Sequence, residues 1–157
     1  MYELFQRTAT PEWQIVLRLV VAIIFGGVLG FERERKNRSA GFRTHILISL
    51  AAAVVALTAL ELSSAAHKEG GSADSIRAIE AVTAGVAFLA AGTILQARGR
   101  VVGLTTGAGM WLSGTIGVAC GFGHFTTAFI ATALALFVLA GLQRLSDSIN
   151  PTNENSD

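Results

Sequence analysis

The chain has 157 residues, is 52% hydrophobic, and carries a net charge of +1 at pH 7. That is the length of one domain, its mean hydropathy of +0.55 is of membrane type, and the absence of a long basic run argues against nucleic-acid binding. The one cysteine, Cys120, leaves no internal disulfide and no Cys-based metal cluster, and reads as a small helix residue.

In chain order, the first residues contain Glu3, Arg7 and Glu12 and no apolar h-region, so the first hydrophobic segment is expected to act as an uncleaved anchor. That segment covers about residues 14–31, apolar apart from Arg18, with a G-x-x-x-G face at Gly26 and Gly30. The charged run Glu32-Arg33-Glu34-Arg35-Lys36-Asn37-Arg38 follows it. Segment two is expected over 44–62, segment three over 76–97 and segment four over 101–121. Segment five covers 125–143, and 146–157 reads as a polar, disordered cytoplasmic tail. No stretch alternates as a strand does, so the expectation is helices throughout.

Val101–Gln143 contains no charged residue. As one helix it would span roughly 65 Å, about twice a bilayer core, so it must fold back; Gly121-Phe122-Gly123-His124 is the expected turn. Within segment four, Gly103, Gly107, Gly114, Gly117 and Gly121 share one narrow helix face, whereas Gly109 is expected to point elsewhere. Such a face is costly in water but lets another backbone approach closely in lipid, which makes segment four the expected packing centre of the bundle.

Orientation follows from Lys and Arg. Five spans place Arg33, Arg35, Lys36, Arg38, Arg43, Arg98, Arg100 and Arg144 on one side, and Arg7, Lys68 and Arg77 on the other. The richer side is cytoplasmic by the positive-inside rule. The expected architecture is therefore an all-α membrane bundle of five transmembrane helices, N-terminus outside and C-terminus cytoplasmic.

This topology creates two polar layers. The outer one holds Arg18, Glu61, Asp74, Arg77 and Glu80. Arg18 and Glu80 come at matched depth; they can bridge each other, or Arg18 can snorkel to the headgroups or serve a hydrated site. The inner layer holds Glu32, Arg33, Glu34, Arg43, Thr44, His45, Thr105 and Thr106 as a candidate ion or polar site, with Glu32 expected to pair with Arg43 or Arg100. His45 is read either as a pH-sensitive group or as a hydrogen-bonding helix-terminal residue. Arg35, Lys36 and Arg38 are explained by topology and lipid contact. Catalysis finds little support: Ser113-Gly114 lacks the preceding glycine of an intramembrane protease motif, since Trp111 occupies that position, and there is no H-E-x-x-H. No carboxylate falls in the middle of a span, which disfavours a simple Mg²⁺ path. No cofactor is expected, and the metal-binding residues stay unassigned.

Several motifs together resemble the MgtC/SapB family of bacterial membrane proteins. Gly30-Phe31-Glu32-Arg33-Glu34 resembles G-x-E-R-E, Gly41-Phe42-Arg43-Thr44-His45 resembles G-L-R-T-H, and Asp74-Ser75-Ile76-Arg77 resembles D-P-x-R. The run from Gly85 to Gly92 is similar to G-I-G-F-L-G-A-G, and Gly103-Leu104-Thr105-Thr106 with Trp111 to G-L-T-T-A-A-x-x-W. The resemblance covers about Arg18 to Leu142 and adds Gly85, Gly92 and Trp111 to the expected packing residues. Ala87 and Ala90 depart from the family's glycines, Ser75 from its proline and Glu80 from its glutamine. The C-terminal cytoplasmic domain of many members is not expected here. The resemblance implies a multi-pass protein of the bacterial inner membrane, tied to growth at low magnesium, virulence or acid stress. Two roles follow. One is a non-enzymatic regulator that packs against another membrane protein or itself as a homo-oligomer. The other is a transporter or channel for Mg²⁺ or another cation, with Mg²⁺ transported or sensed.

Overall fold

Helix α1, Glu12–Arg35, starts behind Pro11, whose carbonyl accepts the Gln14 and Ile15 amides at 2.9 and 3.2 Å. Its end is set by Asn37, the one described non-glycine residue with positive φ (50°). The Asn37 amide returns to the Glu34 carbonyl and the Arg38 amide to the Arg33 carbonyl, closing a Schellman turn with asparagine in the left-handed position. The computed structural model describes residues 9–68, 74–97 and 100–141. Helix α2 covers Phe42–Lys68, α3 Ile76–Ala91, α4 Leu104–Gly121 and α5 Phe125–Leu136, the last continued by a π-helical turn, Phe137–Gly141. The tail expected over 146–157 lies outside the described residues.

The expectation of helices throughout is corrected between α3 and α4. Segment three does not reach 97: α3 stops at Ala91, and β1 (Leu95–Ala97) pairs antiparallel with β2 (Arg100–Val102), Gln96 opposite Val101. Thr93 turns its hydroxyl back onto the Ala90 carbonyl at 2.7 Å, and Gly103, at φ 90°, sits against the Thr93 carbonyl where any Cβ would collide. Apolar content extends the helix to 97 in the sequence; in the structure Gly92 caps α3, and the Thr93 and Ile94 amides return to the Ala90 and Ala91 carbonyls in a tight turn that leads into β1. The second turn stands as expected, with Gly123 at φ 83° and its amide bonded to the Cys120 carbonyl at 2.9 Å.

Helix α4 is the packing centre, in contact with α1, α2, α3 and α5. It divides two cores. Met110 and Val118 join Ile48, Ala52, Val82 and Val86 on one side; Ile116 and Cys120 join Ala22, Leu29, Ala53 and Ala128 on the other. The glycine face divides likewise. A Cβ on Gly107 or Gly114 would press on Ala90 or Val86 of α3, and one on Gly117 or Gly121 would enter the α2 backbone at Ser49 or Ala53. Gly26 and Gly30 bring α1 equally close to α2, at His45–Ser49 and Phe42. Four packing expectations are corrected. Gly85 has no atom within 4 Å of its Cβ position, Trp111 is 44% exposed, and Gly109 is buried, facing His45 Nε2. Gly92 is the cap of α3, not an interhelical contact.

Outside these cores the surface is apolar. Trp13, Ile24, Phe31, Leu47, Phe88, Phe129, Leu134 and Phe137 are all exposed. Glu12–Arg35 and Phe42–His67 are long and apolar enough to cross a membrane, yet only 28% and 33% of their most apolar windows are buried. The core helix of a water-soluble protein would be mostly covered, so such helices belong in lipid.

Candidate functional site

The most developed polar structure lies where α1 ends and α2 begins. Glu32 sits just past the apolar stretch of α1 and binds Arg33 Nε at 2.5 Å and Lys36 Nζ at 2.7 Å. Burial pushes its carboxyl up, but the hydrogen bonds and charges of Arg33 and Lys36 outweigh that and hold it below its ordinary value. The expected pairing of Glu32 with Arg43 is therefore corrected: its partners come from its own helix, and Arg43 is exposed. The Arg100 side chain lies outside the described residues. Arg33 is 2% exposed and is the largest fully buried side chain. Lys36, read from sequence as a topology charge, also donates to the Leu139 carbonyl at 2.9 Å, tying the end of α1 to the last turn of the bundle. Arg35 covers the Phe31 ring at 5.9 Å.

Glu34 has a separate task. Its carboxylate accepts the Phe42 amide at 2.8 Å and lies where a Cβ on Gly41 would be. An anion from α1 thus caps the amino end of α2, where free amides and the helix dipole favour negative charge. The Gly41 carbonyl takes the His45 amide at 3.2 Å and His45 Nδ1 at 2.9 Å. His45 is fully buried, and its Nε2 has no hydrogen-bond partner among the described residues. The His45 carbonyl accepts the Ser113 hydroxyl at 2.9 Å, and Ser49 donates to the Ala22 carbonyl at 2.8 Å. These two buried serines pin α4 to α2 and α2 to α1. Ser113 drew notice in the sequence only through its Ser-Gly pair and Ser49 not at all, because an isolated serine in an apolar run carries no spacing signal for its partner. Of the remaining inner-layer candidates, Thr106 is buried, Thr44 half-buried and Thr105 exposed.

The outer layer is not one site. Arg18 Nη1 donates to the Gly121 carbonyl at 2.9 Å, and its guanidinium lies against Gly123. It is a cation at the carboxyl end of α4, where unsatisfied carbonyls and the dipole favour it. The Arg18–Glu80 bridge is corrected. Glu80 is exposed on α3, which packs on α4 and not against α1. Depth along a span is readable from sequence; direction around the bundle is not. Asp74 Oδ1 accepts the Ile76 amide at 2.9 Å and so starts α3, while Arg77 is exposed. Glu61 takes the Ala9 and Thr10 amides. Among the described residues no three His, Cys, Asp or Glu side chains converge to hold a metal ion.

The two motifs at the α1–α2 junction thus interlock by contact, and known proteins share the sequence around them. Protein SrpB of Synechococcus elongatus is 35% identical over 136 residues, which cover 82% of this chain and 74% of SrpB. Protein MgtC of Salmonella typhimurium is 36% identical, over 86% of this chain and 55% of its own length. The putative magnesium transporter YhiD of Escherichia coli is 31% identical, over 85% of this chain and 62% of its own. The chain thus spans little more than half the length of MgtC. No solved structure matches significantly. The profile of the MgtC family matches residues 19–148, and the chain, a membrane protein by its apolar helices, belongs to that family.

Proposed function

We propose that the protein is a five-span, N-out protein of the bacterial inner membrane that serves magnesium homeostasis and stress or virulence adaptation by packing against another membrane protein and regulating it. The carrying observation is how the interior polar groups are used. Ser49, Ser113 and Thr132 each donate to a backbone carbonyl of the bundle. A hydrated Mg²⁺ path needs oxygen ligands along its depth, but the Ser49 and Ser113 hydroxyls are directed to holding α2 to α1 and α4 to α2, and Thr132 is bonded within its own helix. The glycines of α4 are covered by α2 and α3, so the partner surface is placed on the outer stripe of α3. There Ala84 and Ala91 are exposed and Phe88 is 80% exposed.

The competing reading is transport of Mg²⁺ or another cation by an oligomer, in line with the description of YhiD as a putative magnesium transporter. Proteoliposomes holding only this protein decide between them. No Mg²⁺ flux is expected, even under a membrane potential, while a photo-crosslinker at Phe88 should recover a second membrane protein from cells. Saturable Mg²⁺ uptake by the pure protein, abolished by Glu32→Ala or Glu80→Ala, would establish transport instead.

A further inference from the structure

Helices α2 and α3 both press on α4 but splay from each other, leaving a groove of about 390 Å³ open to the side. Leu47, Ala51 and Val55 form one wall and Val82, Val86 and Leu89 the other. The lining is hydrocarbon, so water gains nothing there. A 15-residue helix of 10 Å diameter occupies roughly 1,800 Å³, several times what the groove holds. The volume lies within the range of small-ligand sites. From Leu47 to Val55 the groove follows α2 for about 12 Å. One turn before Leu47, at the end of the groove beside the first turn of α2, stands Arg43. It is exposed and has no ion-pair partner among the described residues.

We propose that this groove is a binding site for one anionic phospholipid, with an acyl chain between α2 and α3 and the headgroup phosphate on Arg43. A guanidinium offers a planar fork of donors that matches phosphate oxygens. The cation at one end and the apolar slot leading away from it reproduce the order of groups in a phospholipid. Gly85 opens the slot from the α3 side, since no atom lies within 4 Å of its Cβ position. The site requires a bilayer around the bundle and is independent of whether the protein regulates or transports.

The test uses the full chain in nanodiscs containing phosphatidylglycerol or phosphatidylethanolamine with a diazirine on the acyl chain. Phosphatidylglycerol should label the groove residues saturably, near one lipid per protomer, with weaker labelling by phosphatidylethanolamine. Arg43→Gln should reduce the preference for the anionic lipid about five-fold while leaving the fold intact. Gly85→Phe, which points into open space, should abolish groove labelling without changing elution or thermal stability. Equal, non-saturable labelling by both lipids, unchanged in both variants, would reduce the groove to ordinary lipid contact and overturn the proposal. So would efficient disulfide capture of two copies through Leu89→Cys, which would mean that a second chain fills the slot.

Discussion

Replacing Gly117 by alanine tests whether α4 is seated on α2 through bare backbone. In a helix exposed to solvent the change would stabilise by up to about 1 kcal/mol through propensity. Here the new methyl would overlap the Ser49 carbonyl, with its carbon and Cα at 2.8 Å. These are backbone atoms and cannot rotate away. Helix α4 must retreat by on the order of 1 Å, and such a gap forfeits a quarter to a half of each dispersion contact across the seam. The seam includes Gly121 on Ala53 and the Ser113–His45 bond. Overpacking of this kind costs about 1–3 kcal/mol, and loss of the bond adds about 1 more. We expect a net loss of about 2–3 kcal/mol for Gly117→Ala, and no loss for Gly85→Ala, which meets nothing. Thermal unfolding in detergent, with both variants measured beside the parent, reads the difference. If Gly117→Ala is as stable as Gly85→Ala, the helices are not in backbone contact and α4 is not the centre of the bundle.

Arg18→Gln should cost about 1.5–3 kcal/mol through loss of a charged bond to Gly121, and the charge swap Arg18→Glu with Glu80→Arg should recover none of it. Gly41→Ala and Glu34→Ala should each cost about 0.5–2 kcal/mol and be less than additive together, as both remove one cap on α2; full additivity in thermal scans would separate them. Glu32 has a lowered pKa in the folded protein, so its ionised form stabilises the fold above the ordinary value of 4.5, and that contribution is lost as pH falls through the lower folded value. The stability gap between parent and Glu32→Gln should therefore be full at neutral pH and close in acid; a gap independent of pH contradicts the pairing. In a Cys120→Ala background, an impermeant thiol reagent should label His124→Cys and not Ser39→Cys in intact cells; the reverse pattern would invert the topology.

The sequence by itself determined what depends on one helix at a time. Charge-free length and glycine spacing located the helices, the turn at Gly121–His124 and the central place of α4, because each is a property of local period or transfer energy. The motif residues Glu32–Glu34 and Gly41–His45 were legible as a place where chemistry concentrates. What each residue touches was not. Arg18 was expected at the depth of Glu80, yet it bonds to Gly121 while Glu80 is exposed on α3, because azimuth is set only when five helices pack at once. Glu34 reaches Phe42 and Lys36 reaches Leu139 for the same reason: residues separated by a turn or by most of the chain meet through tertiary geometry. The hairpin after α3 depends on the pairing of Leu95–Ala97 with Arg100–Val102, which hydropathy does not register. Gly85 and Gly117 look alike in the sequence; only packing made one a backbone contact and the other the open wall of a groove.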